Sequence, residues 1–372
     1  METRMIAYRR LNHQRIAPAA RLEEPEEVVR HLGAVQAQDY HQAMWAIGSR
    51  TQGATLADVE RAIEEGRIVL SWPMRGTIHA VPSEELRLLL KLSASRRLTQ
   101  DKRRMEQLEL TDAIVERCGL LMENALRGGG RITRDALMQL FEAEGVRTDG
   151  QRGYHIIWRL AQSGRICLGP KDGKRQTFVL AEEWLPADAG EWDRSEALGR
   201  LAVRFFAGHG PATVQDLAWW AGLTLTEARE AAEAAAGELT LLRVGDREYW
   251  EAGGLPGESG TAEEEDSGSS VFLLAGFDEM LLGYRDREAV LPDEVAPYVA
   301  PGNNGIFMPT VAIGGRIAGI WKRTVKPKRI DVEFKLSVPQ AEWEELLVRE
   351  ARRYCDFMGL PLGEATFRAL GE

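Results

Sequence analysis

Cysteine is scarce in this chain of 372 residues: there are three, Cys118, Cys167 and Cys355, far apart and odd in number. That argues against a disulfide framework and any Cys-x-x-Cys zinc site, and it fits reduced thiols in a cytoplasm. The six histidines are scattered, with no His-x-x-x-His pair, so no metal is expected. No apolar run reaches the roughly 20 residues that span a bilayer, and the N-terminus, METRMIAYRR, lacks the apolar core of an export signal. No membrane association is therefore expected. An excess of positive charge is missing too: 47 Lys and Arg stand against 57 Asp and Glu, a net charge of −10. Affinity for nucleic acid, if present, must come from local patches rather than from the sum.

Such patches exist. Ser95–Arg104 holds five basic residues against Asp101, and Arg316–Lys335 holds seven against Asp331 and Glu333. Acid is concentrated elsewhere, as in Glu263–Asp266. A basic groove on an acidic body is compatible with this distribution, and so are solvated helix and strand faces. The length suggests two to four domains, and 44% hydrophobic with 28% charged residues is the composition of a globular protein.

Periodicity organises the chain into a repeated order of helix, glycine stop, strand, turn, strand. The stopping glycines are Gly66, Gly164 and Gly237. The expected organisation is a first winged-helix unit over 1–105, a second over 106–190 and a third over 191–252. A flexible acidic linker over 253–270 and a C-terminal β region with a helix over 271–372 follow. The expected fold class is thus α+β and mostly helical: three tandem winged-helix units, then a small β-sheet or barrel closed by a helix over 342–357. The strands of that last region are expected at 271–274, 306–313, 316–324 and 329–337.

The stretch Val35-Gln36-Ala37-Gln38-Asp39-Tyr40 lies between two helical patterns. Gly33 reads as a helix stop and Asp39 as an N-cap. The segment between them is too short for a helix and should run extended, which turns Gln36 and Gln38 to one side. In a helix they would sit about 200° apart. Two neutral amides side by side supply donors and acceptors, can hold a water, and can orient dipoles toward developing positive charge. Two glutamines in a loop can equally be solvated and idle. Asp39 is a weaker candidate base, because a cap is occupied with backbone donors. Asp278 and Glu279 look like paired carboxylates, but neighbouring extended residues point apart, so capping or an ion pair is expected. Trp219 and Trp220 read as core.

Five strings carry a resemblance across nearly the whole chain. They are Arg75-Gly-Thr-Ile-His79, Gly208-His-Gly-Pro-Ala-Thr-Val-Gln-Asp-Leu-Ala-Trp-Trp-Ala-Gly222, Phe277-Asp-Glu-Met-Leu-Leu-Gly-Tyr-Arg-Asp286, Asn304-Gly-Ile-Phe-Met-Pro-Thr310 and Gly319-Ile-Trp-Lys-Arg323. In this order they resemble the winged-helix DNA glycosylases of the AlkZ/YcaQ type, and Gln36-Ala37-Gln38 is similar to the Gln-x-Gln motif of the AlkZ-like branch. The resemblance implies Gln36 and Gln38 as catalytic residues. It also implies a cytoplasmic, monofunctional glycosylase that removes bulky N7-alkylated purines from double-stranded DNA, some members unhooking interstrand crosslinks. No cofactor and no metal are expected, and the protein is expected to be a monomer. Arg75 and His79 in the first hairpin, and Lys322, Arg323, Lys326 and Lys328 in the C-terminal region, are the expected DNA contacts. Two competing classes are a non-catalytic winged-helix DNA-binding protein, such as a transcriptional regulator, and a protein-interaction scaffold, which suits the acidic charge.

Overall fold

The computed structural model describes residues 2–187, 192–253, 270–303, 305–337 and 341–371. Residues 254–269, nearly all of the expected acidic linker, lie outside them. Among the described residues the chain is α+β and mostly helical, with several sheets, none of them closed. It divides into two compact units, Met1–Val59 with Leu198–Glu372, and Glu60–Ala197. The strands, in chain order, begin with a two-residue β1 (Val35–Gln36) in the first unit.

The unit Glu60–Ala197 contains β2 (Ile68–Met74), β3 (Thr77–Pro82), β4 (Ile132–Thr133), β5 (Ile166–Asp172) and β6 (Arg175–Leu180). Within it the strand order is β3-β2-β5-β6-β4. Two hairpins are thus joined edge to edge, with Leu70 opposite Leu168. The reason lies in their composition. All seven residues of β2 are buried, and a strand buried throughout makes a poor solvent edge. Helix Arg134–Ala143 begins after Ile132 and Thr133, which pair with β6, and the Thr133 hydroxyl caps the Ala136 N–H. Helices Leu86–Gln100, Lys102–Gln107 and Asp112–Leu126 fill the stretch between the hairpins.

The other unit opens with helix Glu2–His13 and holds helices Arg194–His209, Val214–Ala221 and Leu225–Ala234 ahead of the hairpin β7 (Leu239–Val244) and β8 (Arg247–Ala252). Its main sheet is built from β9 (Val271–Leu274), β10 (Thr310–Ile313), β11 (Arg316–Lys326), β12 (Arg329–Leu336) and β13 (Leu362–Ala369), in the order β13-β12-β11-β10-β9. The sheet is open, which settles the sheet-or-barrel alternative in favour of a sheet. Neighbours are antiparallel except β13, which runs parallel to β12. Parallel neighbours need a crossover, and helix Ala341–Phe357 supplies it. That helix buries Leu347, Ala351, Tyr354 and Cys355. Tyr354 meets the rings of Trp45 and Trp321 edge-on at 5.1 and 4.9 Å. The strand expected at 306–313 is confined to Thr310–Ile313; Pro309 has no N–H to give to a ladder.

Candidate active site

The glutamine stretch takes its shape from the elements on either side. Helix Pro25–Leu32 begins with proline and a reciprocal Glu24–Glu27 capping box, and it stops at Gly33, whose φ of 78° is open to glycine at little cost. Residues 35 and 36 are extended. Asp39 then caps helix Tyr40–Gly48 by accepting the Gln42 N–H at 3.2 Å, so its carboxylate is committed to the helix start. Between stop and cap, burial alternates: Val35 and Ala37 are buried, Gln36 is half-buried and Gln38 is exposed. The apolar residues anchor the segment, while Gln36 and Gln38 retain more surface; the extended backbone covers residues 35 and 36, and residue 38 lies in a bend.

A buried network fixes this segment to a distant part of the chain. The Gln36 N–H donates to Glu279 Oε1 at 3.2 Å. Oε2 of the same carboxylate accepts the Trp220 indole N–H at 3.0 Å and faces His209 Nε2 at 3.3 Å. Glu279 has no exposed surface. Its neighbour Asp278 caps the short helix Glu279–Leu282 through the Met280 N–H and pairs with Arg50 at 2.7 and 3.0 Å, both side chains fully buried. Arg50 satisfies its other donors on the Ala46 and Gln14 carbonyls and the Gln14 side chain, which is what a buried charge requires. Gln42 Oε1 accepts the Gly276 N–H at 2.7 Å. Capping and ion pairing, the roles expected for the Asp278–Glu279 pair, are the ones the structure shows. The bond from Glu279 to Gln36 has no signal in sequence, since 243 residues separate the partners.

Thiol chemistry finds no support in the geometry. Burial pushes the Cys118 and Cys355 thiols up to about 11 and Cys167 up to about 12, so all three stay protonated at neutral pH. Among the described residues no three His, Cys, Asp or Glu side chains converge as a metal would require. Trp220 is core, as expected, whereas Trp219 is 45% exposed, with the Arg287 guanidinium 6.0 Å from its ring.

Arg75 and His79 share the hairpin β2–β3 in the unit Glu60–Ala197. Arg75 and Gly76 form its two-residue turn with φ of 51° and 74°, the backbone of a type I′ turn. Arg75 is half-buried. The His79 ring is buried, with Nδ1–H donating to the Thr77 carbonyl at 2.9 Å and Nε2 toward the Arg75 guanidinium at 3.5 Å. Arg97 crowds the same turn: a Cβ on Gly76 would come within 2.9 Å of its Nη1. Desolvation, then the charge of Arg75, lower the Arg97 pKa from its ordinary value. This second arginine was not among the expected contacts, although it falls in the basic run 95–104.

The remaining candidates lie on β11 and the turn to β12. Lys322, Lys326 and Lys328 are exposed and Arg323 is half-buried, its guanidinium 5.8 Å from the Tyr354 ring. Lys326 pairs with Asp331, whose carboxyl it holds below the usual range together with the Glu364 N–H and Arg329. Part of the charge of Lys326 is therefore already balanced.

Residues 29–357 match the family model described as DNA glycosylase AlkZ-like. The chain belongs to the AlkZ-like DNA glycosylase family. An interstrand DNA cross-link repair glycosylase of Streptomyces sahachiroi is 28% identical over 311 residues, covering 80% of this chain and 81% of that protein. The solved structure of the Streptomyces sahachiroi DNA glycosylase AlkZ superposes with a TM-score of 0.79 at 23% identity over 98% of both chains, a likeness of fold. This AlkZ-like chain is accordingly an enzyme of DNA repair that cleaves N-glycosyl bonds. No helix among its described residues is long and apolar enough to cross a membrane.

Proposed function

We propose that this AlkZ-like protein hydrolyses the N-glycosidic bond of cationic N7-alkylated purines in double-stranded DNA, with Gln36 and Gln38 as the catalytic pair. The reading assigns it to the cytoplasm and to a monomeric, monofunctional enzyme without metal or cofactor. The observation that supports it is the alternation of burial along 35–38, in which Gln36 and Gln38 keep more exposed surface than the buried Val35 and Ala37 beside them. An N7-alkylated base is already positive. As C1′–N9 breaks, the bonding pair goes to the base, which departs neutral and needs no proton from a strong acid. The sugar becomes oxocarbenium-like, water adds to C1′, and its proton is lost to solvent. Amide oxygens of Gln36 and Gln38 suffice to hold that water and to oppose the developing charge. Carboxylates are the usual agents for glycosidic cleavage where the leaving group must be protonated.

The three helix-then-hairpin segments are read as winged-helix units, the first two sharing one sheet. Arg75, Lys322, Arg323, Lys326 and Lys328 act on DNA phosphates, which position the duplex without reading sequence. His79, being buried, serves by orienting Arg75. The curated relative is named for cross-link repair, and unhooking of interstrand crosslinks is proposed for this chain too. The deciding experiment is incubation with a duplex carrying N7-methylguanine, followed by alkaline cleavage of abasic sites. Excision is expected from that duplex and not from one carrying uracil, a neutral base. Gln38→Ala should slow single-turnover excision about 100-fold with little change in duplex affinity. An unaltered rate removes Gln38 from the chemistry.

A further inference from the structure

We infer that Glu279 is a positioning residue for the reaction, holding the peptide of Gln36 so that its amide side chain keeps its aim. The inference rests on the proposed role of Gln36. It stands on geometry of its own: a fully buried carboxylate meets three nitrogens, and one is the backbone N–H of the first glutamine. The other two meet Oε2 of the same carboxylate. Trp220 donates its indole N–H to Oε2. His209 is stacked on Phe205 with ring centroids 4.7 Å apart, and its Nδ1 faces the Phe205 carbonyl at 3.2 Å. That carbonyl can only accept, so Nδ1 carries a hydrogen. The carboxylate accepts from the Gln36 N–H at one oxygen and from the Trp220 N–H at the other. A buried carboxylate is costly without such partners, and here one of them is the segment carrying the amide pair.

Replacing carboxylate by amide tests this, because an amide has one acceptor and one donor end. In Glu279→Gln, an oxygen kept toward Gln36 presents NH2 to the Trp220 N–H. An oxygen turned toward Trp220 presents NH2 to the Gln36 N–H. Either way two donors oppose each other, and the Gln36 peptide is pushed or released. Trp220→Phe removes one of the opposed donors and lets the amide keep its oxygen on Gln36. The measurement is single-turnover excision of N7-methylguanine, with affinity for the same undamaged duplex, by the wild type, E279Q, W220F, E279Q/W220F and Gln36→Ala.

E279Q should be about 100-fold slower than wild type, the order of loss from a displacement near 1 Å, at unchanged duplex affinity. In the W220F background the same substitution should cost less than about 5-fold. A cost at position 279 that is equal in both backgrounds, or that appears as duplex affinity or melting temperature alone, overturns the positioning role. Wild-type rates for E279Q beside a slow Q36A overturn it as well. A full rate for Q36A instead overturns the proposed role of Gln36, and the inference falls with it. If E279Q does not fold, the wild-type protein decides: the Gln36 amide proton, identified by selective glutamine 15N labelling against Q36A, should sit downfield and exchange slowly. Loop-like exchange at that amide overturns the inference.

Discussion

Asp278 keeps a fully buried Arg50 paired, and the two side chains have almost no room to find a substitute partner. Asp278→Asn keeps the shape and removes the charge, leaving the guanidinium uncompensated. It should lower the unfolding free energy by about 3–5 kcal/mol, read from the denaturant midpoint. A shift under about 1 kcal/mol would mean that the Gln14 and Ala46 oxygens already neutralise Arg50 adequately. His31 tells a related story through pH. Burial, then the neighbouring charge of Arg15, pull its ring from an ordinary 6.5 down to about 3. The unfolded chain takes up that proton below about pH 6.5, while the folded one resists it. The stability contributed by His31 is thus fully present above 6.5 and is lost as pH falls from 6.5 toward 3. His31→Asn should flatten the slope of unfolding free energy against pH near pH 5 by about 1.4 kcal/mol per pH unit. Parallel slopes for the two proteins would show that His31 takes up no proton on unfolding. At this scale sequence named Gln36, Gln38 and the capping role of Asp39. It could not name Glu279 or Arg97 as neighbours, because neither contact follows from spacing along the chain.

Elements were legible where a stripe or an alternation ran cleanly to a glycine. The strand expected at 271–274 is β9, and those expected at 316–324 and 329–337 are Arg316–Lys326 and Arg329–Leu336. Helix Glu2–His13 went unassigned because its buried residues, Ile6, Ala7 and Leu11, are separated by arginines that only tertiary contacts explain. One of those, Arg10, is itself buried against the Pro211 carbonyl. Strand β13 also escaped, since its sequence LGEATFRA alternates weakly and most of it is half-buried or exposed. Helix Glu279–Leu282 is four residues long, and its aim depends on the glycine that follows. A Cβ at Gly283 would press into the His209 ring and come within 2.7 Å of the Glu279 carbonyl. Gly283→Ala should therefore destabilise the protein by about 1–3 kcal/mol and also slow excision in the folded fraction by displacing Glu279. A stability loss with the full rate retained would confine Gly283 to packing.

For the molecule as a whole, an acidic chain that binds DNA must concentrate its basic contacts. The exposed Lys322 and Lys328 stand on β11 and its turn, while Lys326 is partly spent on Asp331. The double variant Lys322→Ala/Lys328→Ala should reduce the slope of log affinity against log salt by about 2, and Lys326→Ala by less than about 0.9. Equal slopes across these proteins would move the DNA path away from this hairpin.

Sequence by itself determined the family resemblance, the stop and cap around residues 35–38 and the α+β class. Each of these is written in residues near one another, where glycine conformational freedom, capping chemistry and the two-residue period of a strand act directly. Only the tertiary structure decided that the hairpins β2–β3 and β5–β6 share one sheet, that the last strand runs parallel to its neighbour, and that a carboxylate at 279 grips the backbone at 36. Those outcomes depend on which buried donor meets which buried acceptor across hundreds of residues. That pairing is set by burial, which no local pattern encodes.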